Sequence, residues 1–160
     1  MDGEFSGKED VKTQTIKNMD LQEKTSIQVQ TTIKAAVATV WKKWTTPSDI
    51  VKWNTASDDW HTTRVENDLR VGGKFLWRME AKDGSMGFDF RGVYDEVQTK
   101  ERIASTLDDD RKLTIVFRSI SNATEVVETF EAENENPIEM QRKGWQAILD
   151  NFKKYVEEEL

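Results

Sequence analysis

The sequence predicts an α+β fold, in which a curved antiparallel sheet of about six to seven strands wraps around one long C-terminal helix, with two short helices after the first strand. Three observations predict it. Segments of strand period joined by short turns fill most of the chain, and such connections make antiparallel meanders. Helical spacing occurs only in two short windows near the start and one long window at the end. The stretch Asn67 to Val97 reads as a hairpin with an aromatic face that something else must cover.

Residues 1–22 are polar and aperiodic and read as a flexible tail, leaving residues 23–160 as a single domain. Order is expected from Thr25, where Ile27, Val29, Thr31 and Ile33 alternate with polar residues as in a half-buried strand. Val37, Val40, Trp41 and Trp44 then fall at helical spacing over Ala36 to Thr45. Pro47 suits the first turn of a second short helix, with Thr46 as its cap, and Trp53 ends it.

Trp60 to Glu66 is the next strand, and Asn67-Asp68 turns the chain. Val71-Gly72-Gly73 reads as a bend or bulge, since adjacent glycines allow positive φ. Phe75, Trp77, Met79 and Ala81 share one face of the following strand; Phe88 and Phe90 share one face of its partner across Lys82-Asp83-Gly84-Ser85. Gly92 marks a bulge or a close approach by a neighbour. Strands follow over Arg102 to Leu107, Leu113 to Ile120 and Thr124 to Glu131, with turns at Asp108 to Arg111 and at Ser121-Asn122. Pro137 suits a helix N1 position, and Trp145, Ile148, Leu149, Phe152, Tyr155 and Val156 keep helical spacing to near Glu158. At 1.5 Å per residue, roughly 20 residues span about 30 Å, the width of a small domain. Only this helix is long enough to cover the concave face of a sheet that curls. That is a helix-grip arrangement.

Composition narrows the function. The net charge of −7 argues against a sequence-independent nucleic-acid binder and against docking on an anionic membrane. With no cysteine and one histidine, His61, there is no disulfide and too few nitrogen or sulfur ligands for a structural zinc. No metal or other cofactor is expected. No apolar run approaches the roughly 18 residues of a membrane span. The N-terminus lacks the basic start and apolar core of a signal peptide, so a cytoplasmic monomer is expected.

Val40-Trp41, Thr46-Pro47 and Ile50-Val51-Lys52-Trp53 carry a resemblance, joined by Asp58-Asp59-Trp60-His61, Glu66 to Gly73, Arg78 to Phe90 and Asn136 to Tyr155. In order and spacing these resemble the proteins similar to the activator of the ninety-kilodalton heat-shock chaperone's ATPase, within the START-like (Bet v 1-like, SRPBCC) superfamily. The resemblance covers about residues 25 to 157 and implies a curved sheet gripping a C-terminal helix, usually around a cavity for an apolar ligand. It does not imply one reaction, because the superfamily includes binders, cyclases, hydrolases and co-chaperones.

Six tryptophans in 160 residues are hard to pack without leftover volume, and each carries an N–H that needs a partner. A plain hydrophobic core and a lined cavity both account for them. Gly144, inside the last helix, lets something approach that helix closely. In Val126-Val127-Glu128-Thr129-Phe130, strict alternation points Glu128 inward as a pocket acid or ligand anchor. A one-residue bulge would instead leave it solvated. Arg78, Asp89 and Arg91 lie on the face opposite the aromatics, where cross-strand pairing is the default. No nucleophile elbow, phosphate loop or metal signature appears, and no catalytic residue is assigned.

The reading is a protein that binds a small hydrophobic molecule, of aromatic polyketide, flavonoid or lipid type, between sheet and helix. Its expected lining is Trp53, Trp60, Trp77, Met79, Phe88, Phe90, Phe117, Glu128, Gln141, Trp145 and Ile148. The alternatives are an enzyme of cyclase or hydrolase type, using Glu128, His61 or Tyr94 in the pocket, and a co-chaperone with a chaperone partner.

Overall fold

The computed structural model describes residues 25–159, and the tail reading of residues 1–22 falls outside them. Strand β1 (Ser26–Ile33) leads into helices α1 (Val37–Thr45) and α2 (Pro47–Trp53). Six strands follow: β2 (Trp60–Asn67), β3 (Lys74–Ala81), β4 (Gly87–Gln98), β5 (Arg102–Leu107), β6 (Lys112–Ile120) and β7 (Ala123–Glu131). Helix α3 (Ile138–Glu158) closes the chain. The sheet runs β1-β7-β6-β5-β4-β3-β2 with every neighbouring pair antiparallel. Only β1 is out of sequence order, since it pairs with the last strand and so brings the short helices across one end of the sheet.

Alternation decides which face is core. In β7 every second residue from Thr124 to Phe130 is buried, as are Ile27, Val29 and Ile33 of β1 and Leu113, Ile115 and Phe117 of β6. The register opposite Thr62–Arg64 and Tyr94–Glu96 shifts by one residue. Such bulges raise local twist and help an open sheet curl.

Two glycines sit where chain meets chain. Gly72 adopts φ +82, in the left-handed turn that feeds β3. Gly92 is a close approach and not a bulge: an added Cβ would lie 2.4 Å from the Thr106 carbonyl and 3.0 Å from the Phe75 ring. The two helix-start expectations need correction. Thr46 stands at the N-cap of α2, but its hydroxyl donates back to the Lys42 carbonyl at 2.6 Å, closing α1 instead. Pro137 is the extended residue just before α3, one position outside the predicted N1.

Helix α3 lies across the concave face. Its flank against β1 also serves that edge strand: Arg142 Nη1 donates to the Gln28 carbonyl at 3.3 Å, and Gln146 Nε2 to that of Gln30 at 3.1 Å. These bonds occupy carbonyls that an edge strand would otherwise leave open. On the outer surface Arg78 pairs with Glu80 at 3.0 Å and with Asp89 at 3.5 Å, and Arg91 pairs with Asp108. These are exposed or half-exposed pairs of little energetic weight.

Packing under α3 is uneven along its length, and this unevenness makes the site. Its C-terminal half drops Leu149, Phe152 and Val156 into complete burial. There they meet an aromatic plug in which Trp44 and Trp53 lie 4.8 Å apart, each also against the Phe152 ring, at 4.9 and 4.7 Å. Under the N-terminal half, Trp145 and Ile148 remain only half-buried.

Candidate functional site

A pocket of about 330 Å³ lies beneath the N-terminal half of α3. Its walls are Trp44 and Trp53 from the short helices, Trp77 and Met79 from β3, Phe88 and Phe90 from β4, and Leu113 and Ile115 from β6. Trp145 and Ile148 of α3 roof it, while Asn54, Arg111, Glu128, Glu133, Asn136 and Gln141 supply the polar surface. The antiparallel register explains the juxtaposition. Trp77 stands opposite Phe90 and Met79 opposite Phe88, so the hairpin presents four lining side chains on one face. Trp145 stacks on Phe130 at 3.9 Å and 14°, which fixes the roof over β7.

The polar groups divide into spent and unspent. Gln141 Nε2 donates to the carbonyls of Glu133 (3.0 Å) and Asn136 (2.8 Å), and its Oε1 accepts from the Glu133 N–H at 3.0 Å. That side chain therefore staples the connector after β7 into the end wall. Asn54 Nδ2 donates to Thr62 Oγ1 at 3.1 Å, and the same hydroxyl donates to the Asn54 carbonyl at 2.6 Å. Arg111 is occupied by Asp109 at 2.8 Å and by the Glu131 carbonyl at 3.3 Å.

The unspent groups include the Trp77 indole and the Glu128 carboxyl. The Trp77 indole N–H is buried and has no hydrogen-bond partner among the described residues. Glu128 is 5 % exposed, and its side chain has no hydrogen bond or ion pair among the described residues. Its cross-strand neighbours are Val29 and Ile115, which offer it no polar group. Burial without compensation pushes its carboxyl up to about 8, so it carries a proton at neutral pH. Alternation in β7 thus holds without a bulge, and the inward orientation of Glu128 is the one the fold adopts.

Nine of the predicted lining residues meet at this pocket; Trp60 and Phe117 do not. Phe117 points inward but too far along β6, where Trp41 and Trp44 cover it edge-on at 5.2 and 5.9 Å. Trp60, at the outer edge of the sheet, reaches only the Phe88 ring at 6.0 Å. His61 is exposed. Tyr94 is buried outside the pocket, donates its hydroxyl hydrogen to Asn67 Oδ1, and is pushed above its ordinary range by burial. Sequence reasoning missed Trp44, Asn54, Arg111, Leu113, Ile115, Glu133 and Asn136. Leu113 and Ile115 alternate with Phe117 and were readable in the same strand.

Gly144 also departs from expectation. It lies three residues after Gln141 and four before Ile148, yet an added Cβ would meet no atom within 4 Å. Nothing packs against it; the helix borders open space there. Gly144→Ala is accordingly expected to stabilise the fold by about 0.5–1 kcal/mol, through helix propensity and a less flexible unfolded chain. Urea unfolding measures this, and a loss of stability would mean that the space is not open.

Among the described residues no group of three or more His, Asp or Glu side chains is arranged to hold a metal, and no helix is long and apolar enough to cross a membrane.

Comparison with known proteins places the fold. No curated protein matches the chain. Among solved structures, the AHSA1-like protein from Aeromonas hydrophila is 44% identical over 84% of this chain and 94% of its own, with a TM-score of 0.79. A Cytophaga hutchinsonii protein is 48% identical, covering 86% of this chain and 94% of its own, with a TM-score of 0.72. One from Chromobacterium violaceum is 26% identical, covering 83% and 98%, with a TM-score of 0.75. The model of the Activator of Hsp90 ATPase homolog 1-like protein family matches residues 34–157, and the chain belongs to that family.

Proposed function

We propose that the protein binds a small hydrophobic molecule, of aromatic polyketide, flavonoid or lipid type, in the pocket beneath the N-terminal half of α3. One observation carries this reading: a space of about 330 Å³ walled mainly by aromatic and aliphatic side chains while the other half of the same interface is packed solid. Small-molecule sites begin at roughly 300 Å³ and combine apolar walls with a few polar groups that orient the ligand. Titrating isotope-labelled protein with a library of flat hydrophobic compounds tests it. Shift changes are expected at Trp77, Phe90, Trp145 and Ile148; changes confined to the outer surface would sink the reading.

A second reading, an acid–base enzyme of cyclase or hydrolase type, has Glu128 in its favour as a proton-bearing carboxyl inside the pocket. His61 and Tyr94 do not join it there, so a single group would have to serve both proton transfers. Co-chaperone activity rests on the family's description alone, and a chaperone ATPase assay with and without the protein checks it.

A further inference from the structure

We propose that the chain's own residues 11–19 dock as a strap across the open side of the pocket, between α3 and the β3–β4 hairpin, so that a ligand enters by displacing them. The docking stands on the surface described below; the displacement rests on the binding reading above.

The flank of α3 that faces away from β1 is covered along only half its length. Toward β1 the helix is fastened by Arg142 and Gln146. On the opposite flank Met140, Gly144, Ile148, Asn151 and Tyr155 follow one another at helical spacing. In the C-terminal half this flank meets α2: Asn151 Nδ2 donates to the Trp53 carbonyl at 2.8 Å, and the Tyr155 hydroxyl to Asp49 Oδ1 at 2.6 Å. In the N-terminal half nothing lies within 4 Å of a Cβ at Gly144, and Met140 is 59 % exposed. Across the gap Phe88 of the pocket wall is 47 % exposed, and Met86, two residues before it, is 65 % exposed. Large apolar side chains gathered around a pocket mouth mark a docking surface.

The position of Thr25 names the occupant. Its carbonyl accepts from the Ala132 N–H at 2.8 Å, and Ser26 stands opposite Glu131 in the sheet. Residues 1–24 therefore join the domain where the β7–α3 connector begins, and Glu133 and Asn136 of that connector line the pocket. From β1 to β4 there are four strand spacings, roughly 19 Å were the sheet flat. An extended chain advances about 3.3 Å per residue, so the six residues back to Met19 cover that distance and Ile16 reaches past it. Val11-Lys12-Thr13-Gln14-Thr15-Ile16-Lys17-Asn18-Met19 carries three apolar side chains, two lysines and no carboxylate. The connector carries Glu133 and Glu135 and no cation, and Glu135 has no ion pair among the described residues. The apolar side chains thus suit the Met86, Phe88 and Met140 rim, and the lysines suit the connector. A second copy of the chain fits less well, because it would set two acidic connectors of a protein with net charge −7 against each other.

The chain has no cysteine, so Met19→Cys takes a single nitroxide label on the whole protein. With isotope labelling, the amides of Met86, Phe88, Met140 and Gly144 should lose most of their intensity. Loss confined to residues beside Thr25, such as Ser26 and Ala132, would overturn the docking. Loss at the rim when nitroxide and isotopes sit on different molecules would overturn it in favour of a second copy. The neutral dye N-phenyl-1-naphthylamine tests the displacement. Ile16→Asp combined with Met19→Asp sets two carboxylates against Glu133 and Glu135. The dye should bind that variant about fivefold more tightly than the parent, as for a strap docked about four-fifths of the time. Val71→Asp, which removes an exposed apolar side chain at the far end of the sheet, should leave the dye's affinity unchanged. Equal affinity of the double variant and the parent would overturn the displacement. If the dye binds neither, the hydrophobic-pocket reading fails and the displacement with it, while the nitroxide result still decides the docking.

Discussion

Glu128→Gln is expected to remove a loss of stability that the parent protein suffers as pH rises from about 4.5 to about 8. In the unfolded chain this glutamate ionises near its ordinary value of 4.5, whereas in β7 burial holds the proton up to about 8. Below the lower value both states carry the proton, and the group adds no pH dependence. Between the two values the folded state binds more protons than the unfolded state. Each pH unit there weakens folding by about 1.4 kcal/mol. Above the upper value both states are ionised and the loss is complete, reaching a few kcal/mol.

Glutamine matches the shape of the protonated acid and does not titrate, so its stability curve lacks this fall. Urea unfolding of both proteins at about pH 5 and about pH 8 measures the effect, with the variant gaining a few kcal/mol on the parent between them. Parallel curves would show that Glu128 is not buried as an unpaired acid. Other carboxylates affect both proteins alike and cancel in the comparison. A ligand that fills the pocket removes the remaining water around Glu128 and should push its ionisation to still higher pH. Stability, protonation and occupancy are thereby coupled at one residue.

The orientation of Glu128 was legible in the sequence because a strand's period of two leaves a residue only two faces. Val126 and Phe130 commit one of them to the core. Energetic intuition argued the other way, since an unpaired carboxylate in a core is expensive. The fold meets that cost by keeping the proton. What alternation cannot supply is position along the interface. Phe117 shares a face with Leu113 and Ile115, but Trp41 and Trp44 had already filled the space above it. Nothing periodic announces where α1 and α2 cross the sheet. Arg111, Glu133 and Asn136 enter the pocket from a turn and a connector, where side-chain direction follows tertiary contacts and no repeat exists to read. Gly144 is ambiguous for a related reason: a helix glycine signals either a close neighbour or none, and only the opposing surface distinguishes them.

Trp53→Ala is expected to be the most damaging single truncation in the aromatic plug, costing about 3–5 kcal/mol. Trp53 is 1 % exposed and closes the C-terminal end of α2. Its ring lies 4.8 Å from Trp44, 4.7 Å from Phe152 and 5.9 Å from Trp77, so one side chain ties α1, α3 and β3 together. Its N–H fastens α1 through the Lys43 carbonyl at 2.9 Å, and its own carbonyl accepts from Asn151 Nδ2 of α3 at 2.8 Å. Alanine keeps the last of these bonds and loses the rest. The loss is aggravated by location, because Trp53 is also a wall of the pocket. Truncation joins the new void to an existing one, and neighbouring side chains cannot collapse across so wide a gap. Trp60→Ala is the control: half-buried at the sheet edge and touching only Phe88 among the rings, it should cost about 1 kcal/mol. Guanidinium unfolding of the two variants beside the parent protein checks the difference. Equal costs would mean that the plug does not anchor the helices over the sheet. A Trp53→Ala protein that stays folded should bind bulkier hydrophobic probes than the parent, since the same wall that holds α3 in place also limits the space beneath it.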